Sequence, residues 1–135
     1  MFYSYTLTVP AGTTEASPVE LRCKMSEGIV HLVDVEFRSG TDFTTGIRIF
    51  QGGHQAYPTN PDGELKADGR PIIFPDSLPL AVGSNELVVK GYAPDANYDH
   101  VVYIKFGVLR PDELRPITST DTLLIKFLRL VGIVK

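Results

Sequence analysis

The chain has 135 residues, a length that favours a single domain with one hydrophobic core. Its net charge of −3 is unevenly placed: residues 1–109 carry −5, whereas residues 110–135 carry +2. An acidic body argues against nucleic-acid binding, which depends on neutralising phosphates. The only cysteine, Cys23, excludes an intrachain disulfide, so the fold must be stabilised by its core.

The first fifty residues alternate between apolar and polar side chains, which is the period of half-buried β-strands. We predict strands at residues 2–9, 19–25, 29–38 and 43–50. The side chains expected to share the core-facing side of these strands are Tyr3, Tyr5, Leu7, Val9, Val19, Leu21, Cys23, Met25, Val33, Val35, Phe37, Ile47 and Ile49.

The alternation stops at residues 51–71, QGGHQAYPTNPDGELKADGRP, which are rich in turn-forming residues. A long stretch without a clear element is usually a functional or contact loop. We predict that such a loop, spanning His54–Arg70, binds a partner, and its candidate contact residues are His54, Tyr57, Asn60, Asp62 and Arg70. The acids Asp62, Glu64 and Asp68 could bind a hard cation, but their spacing is not that of an EF-hand. Turn formation explains them better.

Residues 72–82 supply two short apolar pieces, IIFP and LPLAV, and clear alternation resumes at residues 86–92 and 100–108. In the last strand His100, Val102, Ile104, Phe106 and Val108 share one face. Seven or eight short strands separated by turns predict an all-β fold, an antiparallel β-sandwich or jelly roll over residues 1–109.

The end of the chain differs from everything before it. Residues 110–120 have prolines near both ends and are predicted to be a linker, while residues 121–135, DTLLIKFLRLVGIVK, do not alternate. On a helical wheel their apolar side chains form one wide arc, and Lys126 and Arg129 lie opposite it. We predict a short C-terminal amphipathic helix, with a terminal strand as the alternative, and we expect a partner-binding face of Leu123, Phe127, Leu130, Val131 and Val134.

The apolar arc of the predicted helix must be covered, either by its own sandwich or by a neighbouring chain. It is too short to span a bilayer, so we expect no membrane association through it. The start of the chain lacks the pattern of a signal peptide, which predicts synthesis in the cytosol.

A search for reactive groups finds no motif. The spacing of His31, His54 and His100 matches no metal signature, and the nucleophile-elbow, phosphate-loop and dinucleotide motifs are missing. We therefore predict no catalytic residues, no metal and no cofactor. Exposed tyrosines such as Tyr57 and Tyr98 could stack on sugars, which leaves a carbohydrate-binding module in host or glycan recognition as an alternative function.

Two further stretches stand out together: HQAYPTNPDGELKADGRPIIFP at residues 54–75 and NELVVKGYAPDANYDHVVYIKFGVL at residues 85–109. With the opening YTLTVPAGTTEASPVE, they resemble small β-sandwich structural proteins of bacteriophages and prophages. The resemblance implies a virion protein, such as a capsid decoration (cement) protein or a minor head or tail protein. It also implies partners within a particle: copies of the same chain, for which we favour a trimer, and a major capsid or other virion protein.

Overall fold

The computed structural model describes residues 1–110, which form eight β-strands and confirm the all-β prediction. The predicted helix at residues 121–135, and all of the predicted linker after Arg110, lie outside the described residues. No helix within residues 1–110 is long and apolar enough to cross a membrane. The strands are β1 (Phe2–Val9), β2 (Val19–Lys24), β3 (Gly28–Phe37), β4 (Gly46–Gln51), β5 (His54–Tyr57), β6 (Pro71–Leu80), β7 (Glu86–Tyr92) and β8 (His100–Leu109).

The strands pair antiparallel from the two ends of the described chain inward: β1 with β8, β2 with β7, β3 with β6, and β4 with β5. They form two four-stranded sheets, a first sheet of order β1-β8-β3-β6 and a second sheet of order β2-β7-β4-β5. This is the strand arrangement of an eight-stranded jelly roll. Because each sheet joins strands from both halves of the chain, the core needs all of residues 1–109.

The core lies between the two sheets and consists of the side chains that alternation placed inward. The largest fully buried ones include Phe37, Ile47, Ile49, Leu87, Ile104 and Phe106. Burying each such side chain contributes roughly 1.5–3 kcal/mol. The predicted inward faces of β1, β2, β3, β4 and β8 are thus confirmed, with Tyr3 and Tyr5 half-buried at the rim of the core.

Two strands differ from the prediction. Residues 54–57, expected in a loop, form the short edge strand β5, and the two apolar pieces after Arg70 belong to one ten-residue strand, β6. Pro71, Pro75 and Pro79 interrupt the sequence pattern of β6, but β6 is an edge strand that pairs only with β3. Proline is tolerated at such an edge because no neighbour requires its missing N–H.

β4 begins at Gly46, three residues later than predicted, because the chain makes a turn first. Asp42 and Phe43 have left-handed backbones, with φ of 45° and 58°. The turn is held from the opposite loop: the Thr41 hydroxyl donates to the carbonyl of Ala67 at 2.7 Å, and the Gly40 N–H donates to Asp68 at 2.9 Å.

Candidate functional site

Tyr57, a predicted contact residue, lies in the core. It is 5% exposed, and its ring meets Phe74 edge-on at 5.3 Å between centroids. Its hydroxyl donates to the Asp76 carboxylate at 2.6 Å. Burial, and then this acceptor, raise the pKa of Tyr57. The Tyr57 ring is therefore enclosed by its own chain and offers little surface to a partner, so its contact with a partner stays an untested prediction.

The other four predicted loop residues, His54, Asn60, Asp62 and Arg70, are exposed but lie at different turns. His54 opens β5, Asn60 and Asp62 lie in the following turn, and Arg70 precedes β6. The Gln55 side-chain amide holds the middle turn by donating to three carbonyls, those of Pro58, Asn60 and Gly63, at 2.7, 3.0 and 3.2 Å. Within residues 1–110 no hydrogen bond or ion pair joins the four predicted side chains to one another.

The loop acids serve the turns, as the sequence suggested. Glu64 pairs with Lys66 at 2.7 Å. The Asp68 carboxylate accepts from backbone N–H groups of Asp42 and Gly40, which lower its pKa. Across the described part of the chain, no group of three His, Cys, Asp or Glu side chains is arranged to hold a metal ion.

Arg70 does belong to a surface that the sequence did not reveal. The β3–β4 and β5–β6 loops meet around an open depression, the Phe43 surface, which is lined by Phe43, Lys66, Ala67, Asp68, Arg70, Pro71 and Ile72. Phe43 is 59% exposed although its backbone is left-handed. A bulky residue in that conformation is an outlier, and such strain clusters at binding sites. No local pattern marks Phe43, because its sequence continues the alternation of β4.

A second surface covers the outer side of the first sheet. Five side chains form this outer apolar face: Phe2, Ile29, Leu32, Ile73 and Leu109. Two rows of cross-strand neighbours at one end of the sheet are apolar throughout: Phe2–Gly107–Leu32–Pro75 and Leu109–Ile29–Pro79. None of the five belongs to the core cluster, and Phe2 and Ile73 are 67% and 55% exposed.

The sequence did contain a signal for this face, in the segment IVHLV of β3. Apolar residues there follow one another instead of alternating, because the strand carries a β-bulge between Val30 and Leu32. Val30 and Val33 are buried, while Ile29 and Leu32 are on the outer side and only half-buried. His31, predicted as a strand histidine, covers Gly107 from outside, and a Cβ on that glycine would meet its Nε2 at 2.8 Å. A strand that is apolar on both faces indicates that both faces are to be covered.

The outer side of the second sheet has a different character. Its charges are paired: Arg22 with Glu86 at 2.7 Å and Lys90 with Glu20 at 3.5 Å. Arg48, which pairs with Glu15 at 2.8 Å, also lies over the Tyr92 ring. Exposed pairs of this kind contribute about 0–1 kcal/mol each, but they suit a face in contact with water. The two outer faces of the jelly roll are therefore chemically distinct.

Of the two tyrosines considered for sugar stacking, Tyr98 alone lies on the surface. It is 56% exposed, and its hydroxyl donates to the carbonyl of Gly40 at 3.0 Å. Its ring lies 4.6 Å from that of the buried His100. The Tyr98 ring is thus held by the hydroxyl contact to Gly40 and by the ring contact to His100. Because Tyr57 is buried, the two tyrosines cannot form a shared surface for stacking on a sugar.

Comparisons with known proteins give distant likenesses of fold. No family model and no curated protein matches the chain. The periplasmic g-type lysozyme inhibitor PliG of Aeromonas hydrophila is 12% identical, with a TM-score of 0.46, and the match covers 80% of this chain and 86% of that one. FlhE is 10% identical, with a TM-score of 0.35, over 78% of this chain and 96% of that one. The coat protein of Tobacco streak virus is 10% identical, with a TM-score of 0.33, over 83% and 92%. Likenesses this distant assign no activity.

Proposed function

We propose that this chain is a non-enzymatic structural protein of a virion, which associates with copies of itself and binds the coat lattice. The outer apolar face carries this proposal. It presents two complete apolar rows on a jelly roll whose core is already filled by other residues. An apolar face whose side chains are half-buried or exposed, as Phe2 and Ile73 are, is typical of a protein interface.

The fold and the sequence resemblance support the same conclusion from different directions. Jelly rolls form capsid domains, but they also form lectins and cupins, so the fold does not decide the function. The resemblance of residues 54–75 and 85–109 to phage structural proteins favours the first of these uses. The protein would then be a decoration protein or a minor head or tail protein, made in the host cytoplasm and located in the virion.

We propose a different protein contact for each of the two surfaces, the outer apolar face and the Phe43 surface. The outer apolar face serves contact between copies, for which a trimer is favoured. The Phe43 surface, where Lys66 and Arg70 flank an exposed ring, serves contact with a major capsid or other virion protein. Aromatic residues and arginine are enriched in the cores of protein interfaces, which suits this surface.

Light scattering on the purified full chain tests self-association. Phe2→Thr with Ile73→Thr removes two exposed apolar side chains while keeping strand-compatible residues, so the oligomer should dissociate. Val88→Thr, on the outer side of the second sheet, is the control and should leave the oligomer intact. A wild-type chain that is monomeric at high concentration would contradict the proposal.

Mass spectrometry of virus particles purified from the source culture tests the location. We expect the chain in many copies per particle, in a fixed ratio to the major capsid protein. If it is missing from purified particles but abundant in the infected cell, the virion assignment is wrong.

The carbohydrate-binding alternative now depends on the exposed ring of Tyr98. A glycan array probed with the wild-type chain and with Tyr98→Ala tests it. Glycan binding that Tyr98→Ala abolishes would favour this alternative. If the folded protein binds no glycan on the array, the structural role in a virion is the proposal that stands.

A further inference from the structure

The outer apolar face lies at the end of the first sheet where the described chain leaves it. β8 ends at Leu109, which is itself a member of the face and pairs with Ile29. The neighbouring row runs from Phe2 to Pro75 across all four strands. The segment that follows Arg110 therefore begins beside an apolar surface.

A polar atom on the same side of the sheet also lacks a partner. Oδ1 of Asp34 is shielded from solvent and has no hydrogen-bond partner within the described residues. Asp34 lies in the row between Lys105 and Ile73, next to the row of Leu32. A shielded carboxylate oxygen requires a donor, and a cationic side chain is the strongest donor available.

Residues 121–135, the C-terminal arm, have the complementary chemistry. The arm carries apolar residues at Leu123, Phe127, Leu130, Val131 and Val134, and its two internal charges, Lys126 and Arg129, are basic. An apolar surface with one unpartnered carboxylate oxygen matches an apolar segment with basic side chains. The outer side of the second sheet carries ion-paired charges instead, Arg22 with Glu86 and Lys90 with Glu20.

The sequence directly after β8 favours docking of a neighbouring copy's arm on this face over docking of the chain's own arm. Arg110 precedes Pro111, and a residue before proline favours extended conformations, which do not reverse the chain. Arg115–Pro116 repeats the preference. Residues 111–120 can span up to roughly 33–36 Å, about the length of a ten-residue strand. That reach is sufficient for an adjacent copy, whereas return to the chain's own face requires a reversal within the linker.

We propose that the outer apolar face is the docking surface for the C-terminal arm of a neighbouring copy, with Lys126 or Arg129 donating to Asp34. The proposal rests on the self-association proposed above and names the two surfaces that perform it. Exchange of arms between identical subunits then closes the oligomer.

Disulfide trapping with the full chain tests the docking. The sequence has one natural cysteine, Cys23, which is fully buried, so the engineered cysteines supply the reactive thiols. Ser4→Cys lies in the row of Asp34 on the outer side of the first sheet. One preparation carries Ser4→Cys, and the other carries a single arm substitution, Leu123→Cys, Phe127→Cys, Leu130→Cys or Val134→Cys. The two preparations are mixed, mildly unfolded and refolded so that copies can exchange arms, and are then oxidised. A disulfide-linked heterodimer can form only between two copies.

We expect one or two of the four arm positions to give heterodimer about 10-fold above control, since docking raises the effective concentration of the thiols. Arg22→Cys, on the exposed outer side of the second sheet, sets the background of random collision. Heterodimer no more abundant than this background at all four arm positions would overturn the proposal. So would a Ser4→Cys/Leu130→Cys chain that closes only an intramolecular disulfide, because the arm would then dock on its own sheet.

Asp34→Asn, tested in the trapping variants, checks the charged contact. The side chain keeps its shape and loses its charge, so cross-linking should fall several-fold at low salt. An unchanged yield would remove Asp34 from the contact. Trapping is measured in solution and the virion assignment on particles, so the two can fail separately: cross-linked chains that are missing from particles would leave the exchanged arm standing and overturn the virion role.

Discussion

At the scale of single residues, the hydrogen bond from Tyr57 to Asp76 is the buried polar contact most easily tested. Tyr57→Phe removes the 2.6 Å bond and keeps the ring against Phe74. We expect the free energy of unfolding to fall by about 1.5–3 kcal/mol, as for a hydrogen bond to a charged acceptor. Urea titration measures it. Tyr103→Phe is the control, because the Tyr103 hydroxyl makes no hydrogen bond within residues 1–110; an equal loss in both variants would contradict this account.

Cys23 gives the protein a dependence on alkaline pH. Burial raises the pKa of its thiol to about 12, whereas an unperturbed thiol ionises near ~8.5. Above that lower pH the unfolded chain releases a proton that the folded chain retains, so stability falls as pH rises towards 12, by about 1.4 kcal/mol per pH unit.

Urea titrations at pH 8 and pH 10.5 measure this effect. Wild type should lose about 2.5 kcal/mol more than Cys23→Ala over that interval. The tyrosines titrate equally in both proteins, so they cancel in the comparison. Parallel pH profiles would show that the Cys23 thiol titrates alike in the folded and unfolded chains.

Phe43 combines an exposed ring with a strained backbone. Two substitutions separate the effect of the ring on binding from the effect of the backbone strain on stability. Phe43→Gly and Phe43→Ala both remove the ring, but only glycine accepts φ of 58° without strain. We expect Phe43→Gly to be more stable than Phe43→Ala by about 1 kcal/mol. Both should bind particles more weakly than wild type in co-sedimentation. If Phe43→Ala binds as wild type does, the Phe43 surface is not the lattice contact.

At the scale of elements, β6 shows how an edge strand avoids pairing with other molecules. Its three prolines all project from the outer side of the first sheet, opposite Glu36, Leu32 and Ile29. Proline has no N–H to offer, which blunts an edge against aggregation. Pro75→Thr with Pro79→Thr should therefore raise the aggregated fraction at high concentration, measured by light scattering. Pro94→Thr, in an exposed turn, should not; equal aggregation would mean that the edge is protected in another way.

The same element marks the limit of sequence reasoning. Alternation predicts β1, β2, β3 and β8 with their buried sides, and β7 as a strand, because a half-buried strand needs only its own side chains to show its period. In the sequence β6 shows only as two short apolar pieces, because its prolines interrupt the pattern of a strand. β6 tolerates proline because no strand pairs with its outer edge, and the position of a strand in its sheet cannot be read from a local sequence pattern.

At the scale of the whole molecule, the C-terminal arm should be separable from the jelly roll. Within residues 1–110 the buried core spans Leu7–Val108 and both sheets are complete, so we expect a chain lacking residues 119–135 to stay folded, with strand content by circular dichroism as in wild type. It should be monomeric in light scattering, because the arm that joins copies is gone. A truncated chain that still forms the wild-type oligomer would show that residues 119–135 are not the associating segment.

The sequence by itself determined the all-β class, most of the strands, their buried faces and the chemical contrast between an acidic body and a basic apolar end. These follow from local periodicity and composition, which act within a few residues. The tertiary structure decided that Tyr57 is core, that β6 is one edge strand, that Phe43 and Arg70 line one depression, and that Phe2, Leu32 and Leu109 belong to one face. Each of these depends on which distant strand or loop lies alongside, and cross-strand neighbours are set by the packing of two sheets rather than by neighbours in the chain.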